Sequence, residues 1–290
     1  MDAMTAASMT PGLGFALGAM LCFGTGDLIY KRAATNGIAA RHFAMVQAFV
    51  FCPAVTLYAW LTGTLAPQLS ALWGSLAGFF LLIAVNNFFA SLESGAVSTN
   101  AAIFRLNFTI TAALAVLLLG EPLNARKLAA LACALIAVWL LLAEPGIHGK
   151  RPDLPSFLRV VAATVAMALA NFFHKVGLLH GALPETLVSA QAWTFTALAT
   201  LIAFVRDRGY KAPPRAWRYA PFAAIALAIA FVLLLYGLAR GPASVLVPVA
   251  QMSFVITALI GVVIFRERLD IRKGLGLPVA IAALALFAVS

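Results

Sequence analysis

Arg105 is a guanidinium inside an apolar run. It lies about seven residues into segment 99–119, roughly 10 Å deep at the helical rise of 1.5 Å per residue. A charge placed there costs about 2.5–3.5 kcal/mol on insertion scales and marks either a function or a buried pair. The guanidinium fork suits a carboxylate or phosphate; the competing use is a structural ion pair with Asp27 or Glu93. Asp27 stands four residues before Lys31, so an i,i+4 pair can form, and it is also a candidate site for a proton or cation. Gln47 and Gln191 each sit about six residues into an apolar run, where an amide can serve a zwitterion or bridge helices. Asn86 and Asn87 form a polar pair in the middle of run 72–92, suited to one side of a site. Asn171, His174 and Lys175 lie one turn apart. His174 can titrate near neutral pH, and its place close to the end of run 156–178 puts it near the membrane surface. Trp193, Phe195 and Tyr236 can wall a pocket or serve as ordinary packing.

The elements that must hold these groups are transmembrane. The chain of 290 residues is 63% hydrophobic and 10% charged, and apolar runs long enough for a core of roughly 30 Å recur throughout. We count ten spans: 12–30, 42–62, 72–92, 99–119, 126–143, 156–178, 185–205, 218–239, 243–265 and 271–289. Each must be helical, because lipid leaves no other partner for the backbone and the runs are too long for barrel strands. The expected fold is therefore all-α and integral to the membrane. Gly14/Gly18 and Gly74/Gly78 have the spacing that lets helix backbones approach closely.

Two halves repeat. Residues 95–127 and 241–273 align without gaps at an offset of 146, with eleven of 33 positions identical, among them Gly95/Gly241, Ser98/Ser244, Glu121/Glu267 and Lys127/Lys273. At an offset of 144, Lys31 matches Lys175, Asp27 matches Asn171 and Gln47 matches Gln191. Arg105 faces the neutral Gln251 across the repeat. Five spans per half force opposite orientations, so ten helices form two inverted five-helix repeats, 1–148 and 149–290, with the boundary in the Pro-, Gly- and charge-rich stretch 144–155. Sites in such proteins lie near the midplane between the repeats. Asp27, Gln47 and Arg105 come a third of the way in from one side, and Asn171, Gln191 and Gln251 from the other. That leaves a gap of about 10 Å across the midplane of a 30 Å core.

The net charge of +10 does not point to nucleic acid, because the basic residues sit in short loops between apolar runs. Loops after odd-numbered spans hold fifteen Lys and Arg; the other loops and the tails hold four. The bias places both termini outside the cytoplasm, in a plasma or bacterial inner membrane. Cys22, Cys52 and Cys133 fall inside apolar runs and form neither a disulfide framework nor a metal set. No nucleophile pair, phosphate loop or cofactor motif is present, so no enzyme, metal or cofactor is expected.

The twice-occurring pattern of Gly-x-x-Ser opening a span, then Gly-Glu or Arg-Glu, a short turn and a further apolar span resembles the drug/metabolite transporter superfamily, in particular its ten-span EamA-type members. The resemblance covers essentially the whole chain and implies a secondary carrier with one central site. The second half is also similar to small multidrug resistance proteins. Their membrane glutamate aligns with Phe23 and Met167, so their cation chemistry does not transfer. Ten-span aromatic amino acid exporters have pocket-lining residues that align with Arg105, Asn107 and Phe108. The location of a pocket transfers, and aromatic specificity does not.

The expected function is secondary active transport of a small polar metabolite bearing a carboxylate or phosphate, amino acids included, by alternating access. Arg105, Gln47, Asn86, Asn87, Asn107, Asn171, Gln191, Trp193 and Gln251 are the candidate binding residues. Asp27 and His174 are candidates for ion coupling. The expected partners are the substrate and membrane lipid, with a functional monomer. Alternatives are an organic-cation exporter using Asp27, and a flippase for lipids or lipid-linked sugars.

Overall fold

The computed structural model describes residues 10–66, 68–94, 97–142, 154–207, 213–263 and 271–290. The boundary stretch at 144–155, except its last two residues, and residues 264–270 lie outside them, as do some of the stretches carrying the basic excess. Twelve α-helices are described: α1 (Leu13–Thr35), α2 (Ala40–Leu61), α3 (Leu72–Ser94), α4 (Val97–Arg105), α5 (Asn107–Leu119), α6 (Ala125–Leu142), α7 (Leu154–Leu179), α8 (Pro184–Asp207), α9 (Ala220–Leu238), α10 (Ala243–Gln251), α11 (Ser253–Val263) and α12 (Ile271–Ala288). Among the described residues every regular element is helical, as a backbone in lipid requires. Among the described residues nine spans are long and apolar enough to cross a bilayer, α4–α5 and α10–α11 counting as one each; Gly274–Ala288 is apolar but shorter.

Small side chains make the helix contacts. Ala16, Ala19, Ala77, Ala84, Ala163 and Ala223 are buried, while Leu117, Trp139, Phe204 and Phe222 face outward. This inside-out distribution suits a lipid solvent, where close packing rather than hydrophobic burial joins helices. Gly74 and Gly78 follow the expectation: a Cβ on either would stand 2.4 Å from the carbonyl oxygen of Leu187 or Gln191, so α3 lies directly on the backbone of α8. The other pair departs from it. Gly14 faces open space, and Gly18 meets only the end of the Leu233 side chain. On α1 the close approaches occur instead at Gly12, against Gly237, and Gly24, against Ser253 and Ile256.

Among the described residues, most of the larger packing contacts have a counterpart when α1–α6 are exchanged with α7–α12, the α5–α10 contact being an exception. Helix α3 packs on α7 and α8, and α9 packs on α1 and α2; α2 meets α8, and α6 meets α12. Thr10 ties the two ends of the chain together, its N–H donating to Ala288 O at 3.0 Å and its hydroxyl to Phe287 O at 2.9 Å.

Spans 4 and 9 run as the apolar pattern suggests except for a one-residue irregularity in each, where the backbone stays close to helical. Each breaks at the same repeat position, Leu106 and Met252. In the first break the Asn107 amide donates to Phe104 O at 2.7 Å, a side chain competing with the ladder. In the second, Pro248 lies one turn before the break and its carbonyl accepts from Met252 N.

Candidate functional site

The two breaks bring Arg105, the last residue of α4, to Gln251, the last residue of α10. Arg105 Nη1 donates to Gln251 Oε1 at 3.3 Å, and Nη2 donates to Asp27 Oδ2 at 2.7 Å. Ser253, just past the second break, donates its hydroxyl to the same carboxylate oxygen at 2.9 Å. Arg105 and Gln251 therefore touch, and the gap of about 10 Å expected between the two clusters is closed at this point. The expected gap counted backbone depth, and the Arg105 and Gln251 side chains reach across it. Asp27 also pairs across the bundle with Arg105 rather than serving only its own helix, because α1 continues to Thr35 and carries Asp27 in its middle. The side chain of Glu93 is outside the described ones. Of the five N–H donors on the guanidinium, these contacts use two; the side chains of Arg105 and Asp27 are 19% and 35% exposed. The node is thus a half-open ion pair with donors to spare.

The equivalent contact in the other direction is neutral. Asn171, at the position of Asp27, donates to Asn107, at the position of Ser253, over 3.4 Å. Both are buried, so this amide pair joins α7 to α5. Gln47 accepts from the Tyr30 hydroxyl in a small cluster with Phe43 and Val46, and is not joined to Arg105. Gln191 is 1% exposed and its Oε1 has no hydrogen-bond partner. His174 is 1% exposed and neither ring nitrogen has one. His174 is thus buried among its neighbours, close to the end of α7, where Lys175 Nζ bonds to Leu238 O and Gly241 O around the α9–α10 loop, each at 2.7 Å.

Other candidates lie apart from the node. Asn87 donates to Ile83 O on its own helix at 2.9 Å, and Asn86 is half-buried beside it. Trp193 is 47% exposed, donates to the Thr56 hydroxyl and lines an outward groove with Leu65, Leu72 and Ala190, so it walls no central pocket in this structure.

A second polar cluster was missed as a contact, although its residues were visible as repeat identities. Both oxygens of the Glu121 carboxylate accept backbone N–H groups at the start of α10, from Ala243 at 2.7 Å and Ser244 at 2.9 Å. This places an anion on a helix N-terminus, where it satisfies donors left free by the helix. Lys127 Nζ bonds to Pro122 O at 2.8 Å and Ser244 Oγ at 3.2 Å. The repeated Gly-x-x-Ser, Glu and Lys are thus explained in one half as a clasp between α5–α6 and α10. Nearby, buried Glu185 accepts from the Tyr236 hydroxyl, and Arg240 lies over the Phe15 ring at 4.6 Å.

The EamA-like transporter family model matches this chain twice, over residues 10–143 and 155–289. The chain belongs to the EamA-like transporter family. One solved crystal structure superposes on this EamA-like transporter with a TM-score of 0.80, covering 95% of each chain at 18% sequence identity, a likeness that speaks to the fold alone. No curated protein matches it in sequence. As a family member the protein is a multi-pass membrane transporter within the drug/metabolite transporter superfamily rather than an enzyme, and it sits in lipid and takes a small-molecule substrate.

Proposed function

We propose that this EamA-like transporter is a secondary carrier of small polar metabolites bearing a carboxylate or phosphate, with amino acids included. The observation that carries the reading is Arg105 held at paired helix breaks by Gln251 and a half-exposed Asp27. Discontinuous helices at a repeat interface are where secondary carriers place their sites. In this reading Asp27 is a resident stand-in for the substrate anion. An arriving carboxylate takes the guanidinium fork, and Asp27 keeps Ser253.

The wider architecture is part of the proposal: ten crossings in two inverted five-helix repeats, divided near 148/149, acting as a monomer by alternating access. The largely exchange-symmetric packing and the meeting of the chain's two ends, which needs an even number of crossings, support it. The Lys/Arg bias supports an orientation with both ends outside the cytoplasm of a plasma or bacterial inner membrane.

A second reading keeps Asp27 as an exchange site for organic cations, favoured by its carboxylate being more exposed than the guanidinium. Proteoliposome counterflow with labelled acidic, zwitterionic and cationic metabolites separates the two. Exchange of acids or zwitterions is expected; exchange of cations alone would give the site to Asp27.

A further inference from the structure

The repeat places Tyr30 opposite His174 and Gln47 opposite Gln191, each 144 residues apart. In the first half the pair closes on itself, Tyr30 donating to Gln47 Oε1. In the second half Gln191 lies beside His174 without the geometry of a hydrogen bond, and Gln191 Oε1 and both imidazole nitrogens are buried without a partner. Buried polar groups in native proteins are almost always satisfied, and the scaffold satisfies the equivalent pair with one hydroxyl.

We infer that His174 and Gln191 form a second subsite of the transport path, which takes a hydrogen-bond-donating group of the substrate, an ammonium or a hydroxyl, while Arg105 holds its anionic end. The inference rests on the anion-transport reading above. Gln191 Oε1 can only accept, and a neutral imidazole offers one acceptor and one donor. A hydroxyl meets the Gln oxygen and the ring N–H; an ammonium meets the Gln oxygen and the bare ring nitrogen. The two subsites are linked through aromatic rings. Phe23 is one turn from Asp27 on α1 and meets Phe231 edge-on at 5.4 Å, and Phe231 meets His174 at 6.2 Å. The substrate is accordingly a molecule with an anionic end and a donor end separated by an apolar middle that lies along these rings. Rings of this kind also favour a cationic donor.

The test is counterflow with matched acids that differ only in a donor at the far end of an apolar chain: butyrate, γ-hydroxybutyrate and γ-aminobutyrate, and the same series one and two methylenes longer. It compares the unaltered protein with His174→Tyr, which copies the first half, and Gln191→Leu. The unaltered protein is expected to exchange the donor-bearing acids at least tenfold faster than the bare ones, as polar sites reject analogues that leave them unpaired. The amino acid against the hydroxy acid of equal length identifies the donor. Both variants are expected to lose the preference for the donor-bearing acids. His174→Tyr is also expected to raise the thermal midpoint of the ligand-free protein in detergent. Equal exchange of paired acids by the unaltered protein, as when water alone fills the subsite, overturns the inference and leaves the anion reading standing. So does a preference that survives in either variant. No exchange of any acid overturns both. If His174→Tyr does not fold, Gln191→Leu decides.

Discussion

Tyr30–Gln47 and His174–Gln191 stand at equivalent places in the two halves, and only the first pair is closed. Asp27–Ser253 and Asn171–Asn107 make the same contact from opposite halves, one charged and the other neutral. Meanwhile Glu121, Lys127 and Ser244, which build the clasp at α10, are identical to their counterparts Glu267, Lys273 and Ser98. The halves agree where they hold the scaffold together and differ around the central breaks. In a protein built by duplication, the differences are where one substrate, which is not itself symmetric, leaves its mark.

The comparison can be broken first at the scaffold. Gly78 lies on the carbonyl of Gln191, so Gly78→Val drives a side chain into backbone and displaces the second-half pair. A loss of about 3 kcal/mol is expected, at the upper end for overpacking, read as a collapse in the yield of folded protein and in its thermal midpoint. Normal yield would mean that α3 and α8 are not in close contact. The pairs themselves come next. Tyr30→Phe strands the Gln47 carbonyl and should cost about 1–2 kcal/mol. His174→Phe removes orphaned atoms and should cost less than half of that, or nothing. Equal losses in the two thermal midpoints would show that the pairs do not differ as described. The smallest effect belongs to Gly14→Ala, which faces open space; a change within about 0.5 kcal/mol is expected, whereas a large loss would restore the helix-contact role read from its spacing.

The apolar runs and the repeat were legible because lipid dictates both helix and length. The Gly74/Gly78 contact was legible because close approach needs a small residue at that spacing. The breaks were not. Leu106 sits in an unbroken apolar pattern, and its break depends on the Asn107 side chain turning back onto Phe104 O. Pro248 was a visible signal, but only in the second half. Arg105 stood out as a costly charge, yet its contact with Gln251 follows from side-chain reach and from no spacing. His174 looked shallow by its distance from the end of an apolar run. Its burial comes from lateral neighbours, Phe231 on α9 and Gln191 on α8, that position along the run does not reveal. Depth along a helix was readable; lateral neighbours were not.

The most direct measurement is counterflow of labelled acidic and zwitterionic metabolites by the Arg105→Gln protein, which gives both halves a glutamine at the break, alongside the unaltered protein and an Arg105→Gln/Asp27→Asn double variant that leaves no unpaired carboxylate. The account predicts that exchange of acids falls by about 100-fold, equivalent to about 2.8 kcal/mol, in the single and the double variant alike, while both still fold. Acid or zwitterion exchange at the unaltered rate without Arg105 would contradict it.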